Sequence, residues 1–129
     1  MTDPHKPPGY PSVSPYLVVT DAGAVIDFLR AALGAEELRR FEGPDGGIVH
    51  AEVRVDDGVV MLGEAPEGSH ATPCHVHVYV PDVDAAYEAA LAAGGESVQA
   101  PVRKDDPDRR GGVRGPGGNT WWVSTMGSG

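Results

Sequence analysis

Cys74 is the only cysteine in this chain of 129 residues, so no internal disulfide can form and a reducing compartment is expected. Basic residues are also scarce. Lys and Arg number 10 against 19 Asp and Glu, a formal charge of −9, and so acidic a chain repels phosphate backbones and anionic lipid. Nucleic acid and membrane surfaces are therefore not expected as partners. No apolar run approaches the ~18 residues needed to span a bilayer, and the opening Met1-Thr-Asp-Pro-His-Lys-Pro-Pro lacks the apolar stretch of a secretion signal. A cytoplasmic protein is expected. The glycine-rich runs lack Gly-Lys-Ser/Thr, and no dinucleotide fingerprint follows a strand, so no nucleotide cofactor is implied.

Turn formers are plentiful: 18 Gly and 12 Pro, which favour short strands over long helices. Residues 1–12 carry Pro4, Pro7, Pro8 and Pro11 and read as an extended arm that lies over another surface. Residues 13–129 then read as one domain, since a length near 130 leaves no room for a second core. Val13–Val19 has strand character. Asp21 offers an N-cap, Val25, Phe28, Leu29 and Ala32 recur at helical spacing, and Gly34 stands where a left-handed C-cap belongs. Three strand-like runs follow, Glu36–Phe41, Ile48–Val55 and Val59–Gly63, joined by turn sequences.

His75-Val-His-Val-Tyr-Val then opens the same order again. Val19-Thr-Asp matches Val80-Pro-Asp and Gly34 matches Gly95, a constant shift of about 61 residues. A second helix is expected near Val83–Ala93, and strands at Ser97–Ala100, Gly112–Arg114 and Thr120–Thr125. The fold class expected is α+β, with two tandem βαβββ units, about 13–64 and 75–126, forming a cupped and mostly antiparallel sheet. Pairing of the two apolar sheet faces would build the core.

In order and spacing, Pro15-Tyr-Leu-Val-Val-Thr-Asp, Ile26-Asp-Phe, Leu33-Gly-Ala-Glu, His50-Ala-Glu, Val80-Pro-Asp-Val-Asp-Ala and Gly115-Pro-Gly-Gly-Asn-Thr-Trp resemble the vicinal-oxygen-chelate superfamily of glyoxalases, bleomycin-resistance proteins and extradiol dioxygenases. The resemblance covers about 13–126 and is nearest a bacterial glyoxalase-like subgroup. It implies a small molecule bound in the cup and a homodimer. It also implies four metal-ligand positions, carried over here as Ser14, Glu52, His75 and Trp122. Ser14 and Trp122 are poor ligands, so the usual site is incomplete.

Alternation places His50 with Glu52 on one face of a strand, and His75 with His77 on one face of another. Two readings stay open. In one, Glu52, His75 and His77 hold a divalent ion such as Zn, Fe, Ni or Mn, and the chain is a lyase, isomerase or dioxygenase acting on a vicinal-oxygen substrate. In the other no metal is held, and the cup binds or sequesters an organic ligand, as an antibiotic-resistance factor does. Glu52 and His75 could then act as an acid–base pair, with burial raising the pKa of Glu52. Adjacent Trp121 and Trp122 face opposite sides of their strand, one of them a stacking surface. Phe41 and Met61 are candidate wall residues, and Tyr16 and Tyr79 are unplaced. Arg103-Lys-Asp-Asp-Pro-Asp-Arg-Arg reads as a solvated loop, with Arg114 the stronger candidate for an anionic ligand. Cys74 reads as a small packed hydrophobe.

Overall fold

The computed structural model describes residues 5–127. Residues 1–4 of the expected arm lie outside the described residues, as do 128 and 129. The elements run β1 (Tyr16–Val19), α1 (Ala22–Leu33), β2 (Glu36–Glu42), β3 (Ile48–Val55), β4 (Gly58–Glu64), β5 (His75–Tyr79), α2 (Val83–Ala92), β6 (Glu96–Arg103), β7 (Asp108–Arg114) and β8 (Thr120–Met126). This is the expected βαβββ order, twice. The strands form two separate four-stranded sheets, β1-β4-β3-β2 and β5-β8-β7-β6, instead of one continuous sheet. In each, one parallel pair joins two antiparallel pairs.

Both helices begin on an aspartate whose carboxylate accepts a backbone N–H three residues on, Ala24 for Asp21 and Ala85 for Asp82, each at 3.1 Å. Helix α1 ends on Gly34 at φ 65°, a left-handed conformation that glycine adopts without steric cost. Its apolar stripe, Val25, Ile26, Phe28 and Leu29, is buried against Leu17, Val19, Ala51, Val53 and Leu62 of the first sheet. Tyr87, Ala90, Val113 and Trp121 extend the same cluster into the second half. The core thus lies between helices and sheets. The expectation that two sheet faces pair with each other is corrected, because amphipathic helices cover one face of each sheet and leave the other open.

Half of the segment expected to be a solvated loop is sheet, for β6 runs to Arg103 and β7 starts at Asp108, leaving 104–107 as the hairpin turn. Ion pairs hide the strand pattern there. Arg109 reaches Asp84 at 2.9 Å and Arg110 reaches Asp106 at 3.2 Å, so charged residues occupy both faces and the usual apolar alternation is missing. Cys74 is half-buried, its thiol pushed up by burial, and it sits beside the core as a packed side chain.

Candidate functional site

Strand register equates the two halves residue by residue. Tyr16 lies across from Met61, and His77 lies across from Trp122, so Met61 is the first-half counterpart of Trp122. Glu52 lies across from Met61, and Gly112 lies across from Trp122, so Glu52 corresponds to Gly112. The later ligand position of the first half, carried over as Glu52, therefore falls on Met61 by register. The carboxylate belongs to the neighbouring strand.

On the open face of the first sheet, Glu52 is buried at 4% exposure and takes three partners. Tyr10 of the arm donates its hydroxyl to Oε1 at 2.5 Å, His50 Nε2 lies 2.8 Å from Oε2, and Arg39 Nε is 3.6 Å away. Burial pulls the Glu52 carboxyl upward, but His50, Tyr10 and Arg39 outweigh it and hold it below its ordinary value. That reverses the raised pKa expected and weakens Glu52 as a base. His50 stacks against Tyr16 with ring centres 5.6 Å apart, and its Nδ1 is 3.4 Å from the Tyr16 hydroxyl. Phe41, more than half exposed, flanks His50 from β2, its ring centre 6.0 Å away. Met61 lies across from both Tyr16 and Glu52 in the strand register.

The open face of the second sheet is built differently. The ring of Trp122 lies over Gly112, where an added Cβ would come within 2.6 Å of it. The same ring lies nearly parallel to His75, 15° between planes, and its indole N–H donates to His75 Nδ1 at 3.0 Å. An indole nitrogen can only donate, so Nδ1 accepts and the proton of the neutral imidazole sits on Nε2. His77 Nε2 lies 2.9 Å from the fully buried Ser124 hydroxyl and accepts from Arg110 Nε at 3.5 Å. Burial first, then Arg110, pushes the His77 pKa down. Tyr79 donates to Asp108 at 2.6 Å.

The remaining expected residues separate. Trp121 is 2% exposed within the helix-side core, so its assignment to the ligand wall is corrected to packing. Arg114, at the end of β7, borders a groove with Asp27 and Phe28, away from Trp122. Glu52, His75 and His77 do not converge, and among the described residues no three His, Cys, Asp or Glu side chains gather as a metal-holding group. Ser14, Met61, His75 and Trp122, the first two matched to the last two by the 61-residue shift, offer a hydroxyl, a thioether, an imidazole protonated on its outer nitrogen and an indole. Such a donor set does not fit a hard or borderline divalent ion. Sequence reasoning missed Tyr10, Arg39, Ser124 and Gly112, whose roles depend on partners on other strands or on the arm, and it read Arg110 only as a candidate clamp for an anionic ligand.

The model of the Glyoxalase/Bleomycin resistance protein/Dioxygenase superfamily matches residues 12–123. The chain belongs to this superfamily. An uncharacterized protein of Mycobacterium bovis is 39% identical over 122 residues, covering 86% of this chain and 80% of that one. A Mycobacterium tuberculosis relative, also uncharacterized, shares the same identity over 72% of its length. Among solved structures, TioX from Micromonospora sp. ML1 aligns with a TM-score of 0.75 at 28% identity, over 89% of this chain and 99% of that one. A superfamily member from Nocardioides aligns with a TM-score of 0.66 at 23% identity, over 92% and 85% of the two chains. Among the described residues of this chain no helix is long and apolar enough to cross a membrane.

Proposed function

We propose that this glyoxalase-like protein binds a planar organic molecule without metal, stacked on the exposed edge of the Trp122–His75 pair, and releases it unchanged. The observation that carries this reading is the indole-to-Nδ1 hydrogen bond, which leaves His75 Nε2–H as a donor for a carbonyl or similar oxygen on the ligand. Ring faces supply the apolar contact, and one donor supplies orientation, a combination typical of organic-ligand sites. The metal-dependent lyase or dioxygenase reading would require His75 to give up its proton or its partner. A homodimer belongs to the proposal as well, since Tyr79 and Met126 are 59% and 71% exposed at one end of the second sheet.

Tryptophan-fluorescence titration with planar aromatic ketones, with chromatographic recovery of the ligand, tests the reading. Saturable quenching that disappears in Trp122→Phe, with ligand recovered unaltered, is the expected result. Quenching that is identical in Trp122→Phe would overturn the stacking site, and a converted ligand would restore the enzyme reading. Light scattering during size exclusion gives the assembly, twice the chain mass being expected.

A further inference from the structure

The arm is tied to the first sheet by several different kinds of contact. Tyr10 N–H donates to Pro7 carbonyl at 3.2 Å, closing a turn through Pro8 and Gly9, the latter at φ 80°. That turn fixes where Tyr10 points. Arg54 donates to the Gly9 carbonyl at 3.0 Å, and the Arg54 and Arg39 guanidinium carbons lie 5.9 and 5.6 Å from the Tyr10 ring centre. The phenol hydroxyl ends on Glu52, itself almost wholly buried and oriented by His50.

Every group around Tyr10 recognises a part of a phenol. A buried carboxylate accepts the hydroxyl in a charge-assisted hydrogen bond, and two cations face the ring. Neither the carboxylate bond nor the two cation–ring contacts depends on the phenol being joined to the chain, whereas the Arg54 bond to the Gly9 carbonyl serves the arm alone. We infer that the open face of the first sheet is a binding site for phenolic ligands, which the chain fills with its own Tyr10 as an intramolecular stand-in. A ligand bearing an aryl hydroxyl would displace the arm and take the same carboxylate. The site is separate from the Trp122–His75 stack, and its second-half equivalent is filled by the Trp122 ring over Gly112, so the two halves cannot bind phenol alike.

Calorimetric titration with p-cresol, and with 4-methylanisole as the isostere lacking a hydroxyl donor, tests this in the full chain. Tyr10→Ala should bind one p-cresol, at least roughly tenfold more tightly than wild type and than it binds 4-methylanisole, as expected for one hydrogen bond to a charged acceptor. The preference for cresol should vanish in Tyr10→Ala/Glu52→Ala. Tyr10→Phe keeps the ring and loosens only the hydroxyl, so it should fall between wild type and Tyr10→Ala. Equal binding of the two probes by Tyr10→Ala, or wild-type behaviour in both Tyr10 variants, would overturn the proposal. Trp122 quenching is unaffected by either outcome, which keeps this test apart from that of the ketone site.

Discussion

The two halves of this chain share a backbone and differ in what fills one place on the open sheet face. In the first half Glu52 projects from β3 beside Met61, and an arm residue closes over it. In the second, Gly112 leaves a gap on β7 and Trp122 folds into it. One pair of substitutions on a duplicated frame separates a polar, hydrogen-bonded site from an aromatic surface. Among the described residues neither half gathers three His, Cys, Asp or Glu side chains in the arrangement a divalent ion needs.

Substitutions at the matched positions test this contrast. The largest effect belongs to Trp121, whose first-half counterpart is the smaller Val60. Both are buried, and Trp121→Ala should cost about 3–5 kcal/mol in urea unfolding, whereas Trp122→Ala on the open face should cost far less. Equal costs would mean that the faces are assigned wrongly. Gly112→Glu, which copies the first half into the second, should lose about 1–3 kcal/mol because the new side chain meets the Trp122 ring. Adding Trp122→Met should recover most of that loss. A fully additive double variant would show that the two positions do not compete for one space.

Glu52→Ala strips the acceptor from Tyr10 and His50 and should cost about 1–3 kcal/mol, while Tyr10→Phe, losing only the hydroxyl, should cost about 0.5–1.5 kcal/mol. The order of these two costs in thermal unfolding is the check. Acid should have the mildest effect. His77 titrates below its ordinary 6.5 in the fold, so the unfolded chain takes up that proton first and stability falls as pH drops below 6.5. Glu52 titrates below its ordinary 4.5 in the fold, so its contribution is complete above 4.5 and is lost as pH falls from there toward the folded value. Urea midpoints at pH 8, 6 and 4 should therefore decline in that order. A midpoint that rises on acidification would contradict both shifts.

Local chemistry made most of the frame readable in advance. Asp21 and Gly34 bracket α1 where they were expected, β3 keeps its expected ends, and the 61-residue shift gives the duplication. Long-range partners stayed hidden. Tyr10 and Glu52 are 42 positions apart, and no pattern in a proline-rich arm tells which residue its tyrosine will meet. The tautomer of His75 likewise depends on an indole 47 positions away, and the strand character of β7 was masked by arginines paired to acids on both faces. Spacing could place His75 and His77 on one face. It could not show that each already has a partner.

On the proposed function, His75 donates a hydrogen bond to an organic ligand and holds no metal. Elemental mass spectrometry of untagged protein, incubated separately with zinc, iron(II), nickel and manganese and then desalted, addresses it most directly. The account predicts retention well below one ion per chain in every case, with no change in His75→Ala. One equivalent of any ion, lost in His75→Ala, would contradict it.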